Sequence, residues 1–277
     1  MRRREADTDL SVTHSEGPNA TAYLTSSFPV GIYVVDRDGY PELVGTGFFV
    51  RYGGALFLVT AFHLVRTLYN ARRDFGVGCN FKVNKFSFKG VLTNNDFARF
   101  GKFDDTDIAA FCIRPAEPRY SEFSACAINH SQSIDGLYFP GGVAYCFLSG
   151  LPLSKNKKSK WSVDKTGATA HRLVSFEYKL AEASALTRIG KDPQDFIGLK
   201  WTRRQRNGEN SVHPKGCSGA PVWFVKRRAT DMGLYLTGIF IEFHKREKIL
   251  IFTRIERLYD LLDKNRSYWS ELRSNET

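Results

Sequence analysis

Short runs rich in Val, Ile, Phe and Tyr recur along this chain, and they limit its fold more than any other feature. They read GIYVVD, VGTGFFV, LFLVT, FKVNKFSF, IAAFCI, GGVAYCFLSG, TAHRLVSFEY, GAPVWFV, LYLTGIFIEF and KILIFTRI, with Gly, Asp, Asn and Pro clusters between them. β-branched and aromatic residues suit a pleated, half-buried surface, and the clusters mark turns. Many short strands without long helices between them predict barrels or a sandwich and argue against βαβ units. Two stretches depart from this pattern. AFHLVRTLY directly follows a strand and predicts a short helix. From Arg254, the spacing of Ile255, Leu258, Tyr259 and Leu262 predicts one amphipathic helix packed on the body.

Gly and Pro concentrate at SIDGLYFPGG, Ser133 to Gly142, which marks a break between two halves. The resulting organisation is a polar, flexible segment over 1–25, one half over 26–135, a second over 136–253, and a helix and tail over 254–277. The basic start has no apolar stretch behind it and does not read as a secretory signal. No apolar run approaches the roughly 18 residues of a membrane span, so no membrane partner is expected. The five cysteines are Cys79, Cys112, Cys126, Cys146 and Cys217. An odd number with no signal peptide argues for free thiols in a reducing, cytoplasmic compartment. No C-x-x-C pair, H-E-x-x-H or phosphate loop is present, so neither metal nor cofactor is expected. The net charge is +11, concentrated in KNKKSK (Lys155–Lys160), KWTRRQR (Lys200–Arg206) and KRR (Lys226–Arg228). These runs read as solvated loop tips, or as docking surfaces for an acidic protein or nucleic acid.

The stretch KGCSGAP, Lys215 to Pro221, is either an ordinary tight turn or the setting of a nucleophile. A serine hydroxyl attacks only when a neighbouring base takes its proton. Histidine suits that role because it titrates near neutrality. His63 follows the apolar strand LFLVT, where a rigid strand end would hold it. Asp107 immediately precedes IAAFCI, so its carboxylate is expected to be partly buried and to need a donor such as an imidazole N–H. Taken singly, the histidine reads as a core residue and the aspartate as a turn residue.

Taken together, GTGFFV, LVTAFH, TDIAAF, GCSGAPVW, TGIFIEF and IFTRI resemble the chymotrypsin-type, or trypsin-like, serine peptidases, in that family's order of histidine, aspartate and serine. The resemblance runs from about Phe28 to Leu262. It implies an all-β fold of two six-stranded antiparallel β-barrels with the active site between them and a C-terminal α-helix. It also implies a triad of His63, Asp107 and Ser218, and an oxyanion hole from the backbone N–H groups of Gly216 and Ser218. A protein or peptide substrate would then pair as an added strand beside GIFIEF.

The departures from the digestive members narrow the expectation. Cys217 stands where those enzymes carry the aspartate that pairs with a new amino terminus, so activation by that route is not expected. Cys217 is read as a small buried residue rather than the nucleophile. Val212 occupies the place of trypsin's acidic pocket floor, while Phe243 and Leu250 occupy wall positions that are glycine in many relatives. Such a pocket is shallow and favours small or aliphatic side chains. His213 and Lys215 at its mouth favour an acidic one, and Glu242 on the substrate strand favours a basic neighbour. The lack of a signal resembles intracellular bacterial members, some of which cleave a companion effector in antiviral operons. The sequence therefore points to a selective serine endopeptidase, with a catalytically silent interaction module on the same fold as the alternative.

Overall fold

The computed structural model describes residues 11–13, 28–35, 41–71, 75–78, 105–116, 120–130, 143–152, 174–202, 213–227 and 231–274. Several expectations fall outside these residues. They are the strand FKVNKFSF, the break Ser133–Gly142, Cys79, Val212, the run Lys155–Lys160 and most of Lys200–Arg206.

The described residues are mostly β and form two sheets. The strands, in chain order, are β1 (Ser11–Thr13), β2 (Pro29–Val35), β3 (Pro41–Tyr52), β4 (Ala55–Ala61), β5 (Phe75–Gly78), β6 (Ile108–Ile113), β7 (Ala127–Asn129), β8 (Val143–Gly150), β9 (Val174–Leu180), β10 (Phe196–Lys200), β11 (Pro221–Arg227), β12 (Asp231–His244) and β13 (Ile249–Arg254). The helices are α1 (Phe62–Asn70), α2 (Tyr120–Ala125), α3 (Ala183–Arg188), α4 (Ile255–Lys264) and α5 (Arg266–Ser274). The smaller sheet runs β5-β2-β3-β4-β6, with β7 added on β3. The larger runs β1-β12-β11-β8-β9-β10-β13, and β12 also pairs with β13, so the hydrogen-bonded path returns to β12. All ladders are antiparallel except β3–β7.

Strand periodicity explains how the sheets pack. Ala55, Phe57 and Val59 of β4 and Ile108, Ala110 and Cys112 of β6 face one way. There they meet Trp223 and Val225 of β11, Leu234, Leu236 and Ile239 of β12, and the helix residues Ile255, Leu258, Leu261 and Leu262. The alternate residues Leu56 and Leu58, with Ala109, Phe111 and Ile113, face Val30, Ile32, Val34 and α1. A strand apolar on both faces is what a position between two cores requires. The larger sheet repeats the device: Val222 and Phe224 turn from Trp223 and Val225 into a third core with Cys146, Leu148, Phe240, Leu250 and Phe252. The cluster holding Trp223 is therefore the joint between the sheets.

Two expectations change. Ser11–Thr13, inside the segment expected to be flexible, pairs with Asp231, Met232 and Gly233 of β12. Backbone pairing with an open strand edge needs no apolar sequence, which is why the polar composition gave no sign of it. The single C-terminal helix is two, joined at Asn265. There the Asn265 N–H bonds Leu262 O at 3.2 Å and its side-chain amide caps Leu261 O at 2.8 Å. Asparagine competes with helical hydrogen bonding through such local contacts.

Candidate active site

The site begins at the joint between β4 and α1. Helix α1 starts at Phe62 with no side-chain cap from Ala61, so its first N–H groups lack a local acceptor. Asp107 supplies the acceptors from across the sheet. Its backbone oxygen takes the Phe62 N–H at 3.0 Å, and its Oδ1 takes the His63 N–H at 2.7 Å. The negative charge also suits a helix N-terminus. The other carboxylate oxygen, Oδ2, lies 2.6 Å from His63 Nδ1. An ionised carboxylate only accepts, so Nδ1 carries the proton and Nε2 is left as the basic nitrogen. Both oxygens thus hold one histidine, by its backbone and by its ring. Asp107 adopts φ 55°, a left-handed conformation that a short polar residue tolerates. The turn that holds it is anchored to the larger sheet, because Thr253 Oγ1 donates to Thr106 O. The His63 side chain keeps 40% of its surface exposed against 21% for Asp107, so the far edge of the ring is open to a reactant.

Ser218 lies on a tight turn between His213 and β11. Gly216 at φ 94° and Gly219 at φ 87° take conformations that side chains resist. At Gly219 a Cβ would come within 2.1 Å of Thr46 O, 2.2 Å of Thr60 Oγ1 and 3.0 Å of Ala61 N. The turn is therefore pressed onto the end of β4, two residues from His63.

Thr46 fastens it there. Its N–H donates to Ser218 O at 2.9 Å, its Oγ1 donates to Gly216 O at 2.9 Å, and that Oγ1 accepts the Leu151 N–H at 3.2 Å. Thr60 Oγ1 in turn donates to Thr46 O at 2.8 Å. One buried threonine of the smaller sheet thus grips the serine turn of the larger one. Sequence reasoning missed this role, although the polar Thr46 between two glycines in the apolar run VGTGFFV was a visible signal.

The N–H groups along the turn divide sharply. Lys215 donates to His213 Nδ1, Cys217 to Pro214 O, Gly219 to Phe240 O and Ala220 to Cys217 O. The N–H groups of Gly216 and Ser218 meet no acceptor among the described residues. Backbone donors are rarely left unpaired in a protein. These two lie within the serine turn itself and are left as donors for a ligand. The Ser218 hydroxyl itself donates to Ile241 O at 3.4 Å and makes no hydrogen bond to His63. Cys217 is wholly buried, and burial pushes its thiol far above the usual range. Its sulfur is a neutral packing group, not a thiolate.

The remaining residues form the neighbouring surface. Phe243 packs on Trp201, with ring centroids 5.4 Å apart, and meets His213 edge-on at 5.5 Å. Leu250, expected as a wall, opposes Phe243 in the β12–β13 ladder and is wholly buried in the third core, so it closes the base of this surface. Lys215 is exposed beside His213. The pKa of His213 is lowered, first by partial burial and then by Lys245 and Lys215. Glu242 is exposed but engaged by Lys191 at 3.3 Å. No group of three or more potential metal ligands occurs among the described residues, and no helix among them is long and apolar enough to cross a membrane. Neither a family model nor a curated protein matches this sequence.

Proposed function

We propose that this protein is a serine endopeptidase that hydrolyses peptide bonds through His63, Asp107 and Ser218. The observation that carries the reading is the two-point hold of Asp107 on His63. It fixes one tautomer and one ring orientation, which is what a general base beside a serine needs. The undonated N–H groups of Gly216 and Ser218 supply the second requirement, a place for a developing oxyanion. In the first step the Ser218 proton passes to His63 Nε2 while Oγ bonds the peptide carbonyl carbon. The carbonyl oxygen becomes an anion facing the two N–H groups. His63 then returns the proton to the amine as the C–N bond breaks, leaving an acyl-enzyme. Water repeats the sequence, giving its proton to His63 and its oxygen to the acyl carbon, and Ser218 departs with the proton. Ser218 must first rotate from Ile241 O towards His63, a change of one side-chain torsion.

On this reading the two sheets are the two β-barrels of a chymotrypsin-like fold. The larger sheet has seven strands where six were expected, and its pairing returns to β12. The substrate is a protein or peptide, and a companion protein in the cytoplasm is the favoured target. The second reading is a catalytically silent interaction module that holds an acidic protein or nucleic acid. The present orientation of Ser218 and the base closed by Leu250 favour it.

A fluorophosphonate probe read by intact mass separates the two. One adduct on the wild type, absent from Ser218→Ala, is the expected result. A wild type that takes no adduct, or an adduct that persists in the variant, overturns the endopeptidase reading.

A further inference from the structure

Among the described residues, the charges around Phe243 do not balance. Glu242 is engaged by Lys191, whose ammonium also sits 4.8 Å from the centroid of the Phe196 ring. Glu247 is engaged by Arg188 at 3.8 Å. Among the described residues, these two acids are thus already matched. Lys215 and Lys245 have no acidic partner among the described residues, yet both stand close enough to His213 to act on its charge. His213 lies edge-on to Phe243, and its Nδ1 is taken by the Lys215 N–H, so Nε2 is the ring nitrogen left for a ligand. Beneath them Trp201, Phe243 and Leu250 form an apolar base. The surface has a defined relation to the serine. Ser218 Oγ touches Ile241 O, and Phe243 stands two residues further along β12, about 7 Å in a strand. A side chain beside the attacked carbonyl would reach it.

We propose that this surface, resting on the endopeptidase reading, selects a substrate with a carboxylate side chain, aspartate or glutamate, next to the scissile bond. The aliphatic part of the side chain lies over Phe243 and Trp201, and the carboxylate meets His213, Lys215 and Lys245. A lysine or arginine there meets two ammonium groups and the Nε2–H edge of His213, and its best counter-charge, Glu242, is already engaged. Like charges set together reject the wrong partner as effectively as opposite charges attract the right one. Trypsin-like cleavage after basic residues is thereby excluded.

The test uses Ser218→Ala protein, so that binding is read without turnover. It is incubated at low ionic strength with a randomised peptide library, and the bound pool is sequenced. The expected result is a five- to tenfold enrichment of Asp and Glu at one position, in keeping with two exposed ion pairs worth about 1.4- to fivefold each. The enrichment should disappear in Lys215→Gln/Lys245→Gln and persist in Lys179→Gln/Lys264→Gln, an equal loss of charge at exposed positions on β9 and α4. A flat profile, no retained peptide, or enrichment of Lys and Arg overturns the proposal. Retention of an oligonucleotide in place of peptides does so as well. Fluorophosphonate labelling of the wild type is run in parallel: an adduct with a flat profile removes the acidic subsite and leaves the endopeptidase reading standing.

Discussion

Thr46→Val keeps the volume of a buried side chain and replaces its hydroxyl with a methyl group. Two hydrogen bonds vanish, to Gly216 O and from the Leu151 N–H, while the backbone bond from Thr46 N to Ser218 O survives. Thr46 is 0% exposed, so water does not replace them at once. Each buried backbone group left unpaired costs about 1–3 kcal/mol, so the pair costs about 2–6 kcal/mol. That is a large share of the roughly 5–15 kcal/mol that holds a domain folded. The serine turn also loses the tether at its Gly216 end, where one of the two N–H groups proposed to meet the oxyanion sits. Misplacing one such donor slows reaction by about 100- to 1,000-fold. Urea unfolding should show a lower midpoint at unchanged slope, and the rate of fluorophosphonate labelling should fall. Thr46→Ser keeps Oγ1 and loses only a methyl group, worth about 1 kcal/mol. Equal stability of the serine and valine variants, or a loss below about 1 kcal/mol for valine, would refute the assignment of Thr46 as the clamp between the sheets.

Gly219→Ala should fail to fold or lose most of its stability in thermal melts, because its Cβ would overlap Thr46 O and Thr60 Oγ1. Gly190→Ala is the control, since φ +75° there meets nothing within 4 Å and the strain is about 1–2 kcal/mol. Asp107→Asn would set an amide donor against His63 Nδ1–H and favour the other tautomer, which removes the basic Nε2. Labelling of Ser218 should slow by several thousandfold, with little change in melting temperature. Cys217 should resist iodoacetamide at pH 8 in the native protein and react on unfolding. Its folded-state pKa is raised, so its contribution to stability is whole below about pH 9 and declines as pH rises, by at most about 1.4 kcal/mol per pH unit. Cys217→Ala should flatten that alkaline limb in urea unfolding measured from pH 8 to 11.

Most long strands were legible because their apolar runs are local: β4 and β6 are buried on both faces, and ALFLVTA, apart from Thr60, and IAAFCI are apolar. The short strand β7 was not, since three residues carry no period and its parallel register on β3 is a long-range choice. FIGLK, now β10, is too brief and glycine-broken to stand out, and it is held by Ile251, Phe252 and Thr253 across the ladder. In the site, the residue types and order of His63, Asp107 and Ser218 could be read from the chain. What Asp107 does for α1 could not, because the missing cap becomes visible only when the helix start is placed beside it. Thr46 bonds a group 170 residues away, beyond the reach of any local pattern.

Helices α4 and α5 follow the last strand of the larger sheet, yet they finish on the smaller one. Trp269 stands edge-on to Phe57 at 5.6 Å and leaves no room for a side chain at Gly53, while Tyr52 donates to Asp263 at 2.7 Å. Each half of the polypeptide therefore holds a piece that the other needs. Fragments parted between Asp135 and Gly136 would each show the solvent an apolar face cut from the joint around Trp223 and Phe57. Produced separately, they would be expected to stay inert, and to regain a common site only on meeting. Covalent joining thus keeps together two halves that would otherwise have to find each other by the same apolar surface.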